Sequence, residues 1–307
     1  MWIILLFIIL LVGVYWAYYA RAGAWIYRQG NKFEAKLYGL KQTRMTLGGI
    51  EHAVWRSADS AKPMLLLVHG FTANHSVWLR FARFFTRDYY VVIPDLAGHG
   101  DTGFDQQTDY SITAQAERLV ELIKASGHSR AHVVGNSMGG FIAAYLARFH
   151  ADVCSSVVLI DPAGVKSPEP SPLMTLLSEG VNPFVMESDD DFERFYGMVM
   201  ARPPYAPGSV HRAIGRQYQA RARQYEKIFA DYNQPEAYLD DELKTIDCPS
   251  LVIWGAQDQL IDVSSVSVWQ EGLDCDTHVW ADLGHMPMIE APERTAYAVR
   301  HFIQRHR

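Results

Sequence analysis

Cysteine is scarce in this chain of 307 residues. The three present, Cys154, Cys248 and Cys275, lie too far apart for a disulfide framework or a zinc site, so no metal is expected. A basic excess is missing too: 28 Lys and Arg stand against 34 Asp and Glu, a net charge of −6, which excludes nucleic acid as an expected partner. Glycine (22) and proline (14) occur in ordinary numbers, which excludes collagen-like and low-complexity classes. Disorder is excluded because 49% of the residues are hydrophobic. No G-x-G-x-x-G follows the first buried-strand pattern, so a dehydrogenase is not expected and no organic cofactor is implied. Charge is absent altogether from residues 2–20, and that absence leads to what the chain does contain.

Residues 2–20 read WIILLFIILLVGVYWAYYA, without charge or proline. At about 1.5 Å per helical residue this run spans roughly 28 Å, close to a bilayer core of about 30 Å. Eleven of its residues are Ile, Leu, Phe or Val, and Tyr15, Trp16, Tyr18, Tyr19 and Trp25 cluster at one end like an interfacial belt. A cleaved signal peptide is the rival reading, with Ala20-Arg21-Ala22 as its cleavage site, but the run is long and no Lys or Arg precedes it. A retained amino-terminal transmembrane helix through residues 2–20 is therefore expected. Arg21, Arg28, Lys32, Lys36, Lys41 and Arg44 all follow the span, so the positive-inside rule puts the globular part on the cytoplasmic side, at the inner membrane if the source is bacterial. Residues 21–40 continue as a surface helix with Trp25, Ile26, Phe33, Leu37 and Leu40 on its apolar side. A homodimer through the anchor is an option, although Gly13 is the only small residue in the apolar core and no G-x-x-x-G supports packing.

Beyond the anchor, short apolar runs alternate with helical patterns. Leu65–Val68, Tyr90–Ile93, His132–Val134, Val157–Ile160 and Leu251–Trp254 read as strands buried on both faces. Helical spacing covers Val77–Phe85, Thr113–Lys124, Met138–Phe149 and Glu290–Arg305. The fold class is thus α/β, a mostly parallel sheet covered by helices. The alternation fails from about Val165 to Lys244, where Pro168, Pro170 and Pro172 precede helical spacing at Phe192, Phe195, Tyr196, Val199 and Met200. An all-helical insertion between two strands is expected there.

Gly135-Asn136-Ser137-Met138-Gly139 is a G-x-S-x-G that follows one strand and opens a helix, the setting of a nucleophile elbow. The sharp turn requires Gly135 and Gly139, and it lifts Ser137 out at the carboxyl edge of the sheet. A serine hydroxyl is a weak nucleophile without a base. His285, in the loop after Thr277–Trp280, is the candidate base, because imidazole titrates near about pH 6.5 and both takes and returns a proton. The acid that orients it should follow a strand between the two. Asp258 after Leu251–Trp254 is the choice, with Asp262 and Asp161 as alternatives. Two N–H donors are needed for the oxyanion. They are expected from Met138 and from Phe71 in His69-Gly70-Phe71, with His69 structural and with Asn74 and Trp78 as possible pocket residues.

With these residues in place, the chain resembles the α/β-hydrolase superfamily of the lipase/esterase type. His69-Gly70-Phe71-Thr72-Ala73-Asn74, Asp95-Leu96-Ala97-Gly98-His99-Gly100, the Gly135–Gly140 string and Gly284-His285 carry the resemblance, over residues 45–305. With the anchor helix it is most similar to single-pass monoacylglycerol lipases and to bacterial membrane-anchored lysophospholipases and phospholipases A. The resemblance implies an eight-stranded, mostly parallel sheet with helices on both faces. It implies a membrane and juxtamembrane helix at 1–40, a core at 41–165 and 245–307, and a helical lid at 166–244. It implies a Ser137–Asp258–His285 triad and a lipid ester as substrate. Carbon–carbon bond hydrolases of aromatic degradation share the triad, and some hydrolase folds serve only as binding modules. Those two remain alternative readings. Dehalogenases and epoxide hydrolases are disfavoured by Ser rather than Asp at position 137.

Overall fold

The computed structural model describes residues 2–306, leaving out the side chains of residues 3, 15–17 and 20. The chain opens with one helix, α1 (Trp2–Leu37), which runs without a break from the apolar segment into the following amphipathic one. Strands β1 (Lys41–Leu47) and β2 (Ile50–Arg56) form a hairpin. Its two turn residues, Gly48 and Gly49, hold φ of 54° and 76°, the paired positive values that a tight two-residue turn between twisted strands requires.

β3 (Met64–Val68) leads through a 3₁₀ turn at His75–Trp78 into α2 (Leu79–Ala82), followed by β4 (Tyr90–Pro94) and α3 (Ile112–Ala125). Next come β5 (Ala131–Asn136), α4 (Met138–Phe149) and β6 (Cys154–Ile160). Between β6 and β7 (Ser250–Gly255) lie α5 (Pro172–Ser178), α6 (Asp189–Val199), α7 (Gly208–Ala220) and α8 (Ala222–Tyr232). The chain closes with α9 (Ser265–Gly272), β8 (Cys275–Trp280), α10 (Pro287–Glu290) and α11 (Pro292–Arg305). The terminal helix expected over Glu290–Arg305 begins at Pro292, because proline fixes a first helical turn and disfavours helix in the residue before it.

The eight strands form one sheet in the order β1-β2-β4-β3-β5-β6-β7-β8. β1 pairs antiparallel with β2 and β2 with β4, whereas β3 onward is parallel throughout. The mostly parallel α/β sheet is as expected. β1 and β2 escaped the sequence reading because β1 is an edge strand of polar and half-exposed residues, without an apolar run. β3 to β7 are wholly buried apart from Ser155, which makes them the floor of the core. From β3 the chain steps to β4 on one side, then crosses to β5 on the other. The crevice outside the carboxyl ends of β3 and β5 is therefore the switch point where such sheets bind ligands.

The amino-terminal helix stands apart from this core. Taken over the described residues alone, no helix is long and apolar enough to cross a membrane, so the expected transmembrane span is not borne out there. Tyr15 and Trp16 of the expected aromatic belt, and Ala20 of the rival cleavage site, have side chains outside the described residues. The described remainder is apolar and open: Trp2, Val14 and every residue from Ile4 to Val12 are exposed. Trp25, Ile26, Phe33 and Leu37 are exposed as well, while Leu40, expected beside them, is buried in the core. Lower down, α1 docks on α7. A Cβ at Gly23 would collide with the Ser209 carbonyl, so the two backbones touch only because position 23 is glycine.

Candidate active site

Ser137 caps α4 with φ 59° and ψ −123°, a conformation that costs a non-glycine residue on the order of 1 to 3 kcal/mol. The flanking glycines explain how the turn closes. A Cβ at Gly135 would strike the Gly139 carbonyl, and one at Gly139 would strike the Val68 carbonyl. Ser137 N–H donates to Ile160 O at 3.0 Å, which pins the elbow to the end of β6.

His285 lies in the loop after β8, its ring buried. Its Nδ1 donates to Asp258 Oδ2 at 2.7 Å. The other oxygen, Asp258 Oδ1, accepts the N–H groups of Leu260 (2.7 Å) and Ile261 (3.1 Å), so the carboxylate is held from both ends. Asn136 Nδ2 donates to His285 O at 3.0 Å and to Ile160 O at 3.1 Å, tying the histidine loop to the residue beside Ser137. His285 N–H donates to Val199 O at 3.1 Å, so the end of α6 fixes the same loop from above. Asp262 Oδ1 accepts Ser264 N–H at 2.9 Å and serves the turn that leads into α9.

The loop after β3 presses against the elbow: a Cβ at Gly70 would lie 2.9 Å from Ser137 Cβ. Phe71 follows at that approach, and Met138 opens α4, where first-turn N–H groups have no partner within the helix. His69 is fully buried, its Nδ1 donating to Gly70 O at 2.8 Å and its Nε2 accepting Leu96 N–H at 3.0 Å. Burial lowers its pKa and keeps it neutral, as a brace between the two loops. Asp95 accepts His75 N–H (2.7 Å), His75 Nδ1 (2.9 Å) and Asp101 N–H (2.8 Å). Burial opposes its charge and is the largest single influence, but His75, His69 and the Asp101 N–H together outweigh it and hold the carboxyl below its usual range.

Ser137 and His285 open into one cavity of about 780 Å³. Its walls are mainly apolar: Leu173, Leu177 and Phe184 from α5 and the loop beyond, Phe192 and Phe195 from α6, Ile214 from α7. The residues with helical spacing in the sequence, Phe192, Phe195, Tyr196, Val199 and Met200, all line it. Asn74 does too, while its Oδ1 accepts Ser76 N–H at 2.9 Å to cap the next turn. Trp78 does not: it is fully buried and packs edge-on against Phe81, with ring centroids 5.3 Å apart. Sequence spacing alone missed Asn136, the x of the G-x-S-x-G, and Asp95, whose turn carries the Asp95–Gly100 motif.

Residues 65–299 match the alpha/beta hydrolase family. The chain belongs to that family, and within it is a lipase-like serine ester hydrolase, as the sequence motifs imply. It is 35% identical over 274 residues to Lipase 1 of Psychrobacter immobilis, covering 86% of this chain and 84% of that one. It is 26% identical over 262 residues to monoacylglycerol lipase ABHD6 of Mus musculus, covering 81% and 78%. Among solved structures it is similar to a bacterial membrane phospholipase A, with TM-score 0.90 and 35% identity over 100% of this chain and 99% of that chain.

Proposed function

We propose that this protein is a membrane-attached hydrolase that cleaves the acyl esters of lipids, with Ser137 as nucleophile, His285 as base and Asp258 as the acid that orients it. The observation that carries this reading is the shared cavity: Ser137 and His285 open into about 780 Å³ of mainly apolar space, and Asp258 grips His285 at 2.7 Å. Asp258 holds the proton on Nδ1, so Nε2 is the nitrogen left to take the Ser137 proton. Ser137 Oγ adds to the acyl carbonyl, and the oxyanion rests on the N–H groups of Phe71 and Met138. Collapse expels the alcohol, which leaves with the proton from His285. Water, deprotonated by the same base, then frees the fatty acid and restores Ser137.

Two features point to a lipid rather than a small soluble ester. The residues at 166–244 form a helical lid over the site and present aromatic and aliphatic side chains to the cavity. The exposed apolar length of α1 attaches the body to a bilayer, with residues 2–20 as the anchor and the basic residues after it at the cytoplasmic face. Pairing of two copies through α1 belongs to the same reading, with Gly13 facing open space.

A serine-directed phosphonate will label the wild-type protein and not Ser137→Ala. Equal labelling of both sinks the assignment. In a turnover panel in detergent, monoacylglycerols and lysophospholipids should be cleaved. Turnover of a vinylogous diketone with no ester cleavage would mark a carbon–carbon bond hydrolase instead, and probe binding without turnover of any substrate would mark a binding module.

A further inference from the structure

One buried acid has no part in these steps. Asp161 follows β6 as Asp258 follows β7, and it is fully buried. Its backbone holds φ 43°, in the left-handed region that costs an Asp on the order of 1 to 3 kcal/mol. Oδ1 accepts the Gly255 N–H at 2.9 Å, bridging the ends of β6 and β7. Oδ2 is buried and has no donor partner among the described residues. An uncompensated oxygen of a buried carboxylate is a large penalty.

Its surroundings suggest how that penalty is removed. Atoms of Asp161, Asp258 and His285 lie within 4.8 Å of one another. Asp258 already accepts from His285 at 2.7 Å and from two backbone N–H groups, so it is the member of the pair stabilised as an anion. Two carboxylates this close in a dry site do not both ionise. Burial first, then the charge of Asp258, drives the Asp161 carboxyl well above the usual carboxylate range. The titratable groups facing it are Asp258, His285 and Glu290 of α10. Glu290 is occupied by the N–H groups of Gly284 (3.0 Å) and Arg202 (2.8 Å).

Resting on the triad reading above, we propose that Asp161 is a positioning residue, a neutral carboxylic acid whose Oδ2–H donates to Asp258 and holds that carboxylate against His285. The orphan oxygen thereby becomes a donor, and the strained backbone at Asp161 is what aims it. Asp161 touches no reacting atom.

Asp161→Asn keeps an acceptor for Gly255 N–H and offers an amide N–H to Asp258. It should leave kcat and the acidic limb of kcat/KM unchanged. Asp161→Leu removes the donor and should lower kcat about 10- to 100-fold with KM unchanged, as loss of an outer supporting partner does. In infrared difference spectra at neutral pH, the wild type should show a protonated buried carboxyl that Asp161→Asn lacks. Absence of that band overturns the proposal. So does an acidic limb displaced downward by about half a pH unit or more in Asp161→Asn, the sign expected when a negative charge near the base is lost. Wild-type kcat in Asp161→Leu overturns it as well. If Asp161→Leu does not fold, the Asn variant and the infrared band still decide. If the wild type resists phosphonate labelling, the triad reading falls, and the infrared band alone still reports whether Asp161 is protonated.

Discussion

At the carboxyl edge of the sheet, Thr72 in the loop after β3, and Ser137 and Asp161 directly after β5 and β6, hold positive φ of 62°, 59° and 43°. They are the non-glycine residues with positive φ among the described residues. Around them, Asp258 accepts from His285, Leu260 and Ile261, and Asn136 donates to Ile160 O, all at 2.7 to 3.1 Å. The helices above follow another rule. Phe71 and Phe184 meet edge-on at 4.9 Å and Phe184 and Phe195 at 5.3 Å, while Tyr218 and Tyr225 lie tilted at 5.9 Å, contacts of ring on ring that are far looser in geometry than a hydrogen bond. Strain and directional bonds fix atoms within tenths of an ångström, which chemistry requires. Ring packing fills space and tolerates rearrangement, which suits a wall that would receive acyl chains under the proposed function.

The sheet edge has little slack at Gly139. Gly139→Ala forces a Cβ into the Val68 carbonyl, with the His69 carbonyl 2.6 Å away, and should cost more than about 3 kcal/mol together with activity. A urea midpoint close to wild type would show that the elbow has slack it should not have.

Next comes an acid test of the layer between the two regions. His99 is fully buried against Phe71 and Tyr225, its Nδ1 donating to Ala97 O at 3.0 Å. Burial pushes its pKa down to about 3. The unfolded chain takes up a proton below about pH 6.5 that the folded chain refuses, so stability is lost as pH falls from there toward the folded value. From pH 6.5 to pH 4 this amounts to on the order of 3 kcal/mol, and His69 acts in the same direction. His99→Gln should flatten that part of the profile of urea midpoint against pH. An unchanged slope would place the acid sensitivity elsewhere.

The smallest effect belongs to the helical wall. Ile214→Ala on α7 widens the cavity without touching the sheet edge. It should leave short-chain ester turnover intact while changing the long- to short-chain ratio of kcat/KM about tenfold, the worth of a lost apolar contact in a pocket. Equal loss on both chain lengths would mean that the wall also positions the chemistry.

Much of this arrangement was legible in the residues. Buried strands announce themselves as apolar runs because both faces are covered, and the elbow does so because only glycine fits at positions 135 and 139. β1 was not legible, since an edge strand with polar side chains carries no such run. Trp78 follows the His69-Gly70-Phe71 loop and so reads as a pocket residue, but the 3₁₀ turn at His75–Trp78 places it in the core. Asp161 stood as one of three candidate acids, and its nearness to Asp258 depends on β6 and β7 lying side by side.

What followed from sequence alone was the set of buried parallel strands, the glycines that the elbow tolerates, and the order Ser137, Asp258, His285 along the chain. These are local matters of side-chain volume, backbone freedom and periodicity. The tertiary structure decided that Asp258 rather than Asp262 meets His285, that Asn136 ties the histidine loop to the elbow, and that α1 leans on α7 through Gly23. It also left one buried oxygen of Asp161 without a donor. Those outcomes depend on distances between residues far apart in sequence. Only strand pairing and the exclusion of water from the packed core set those distances.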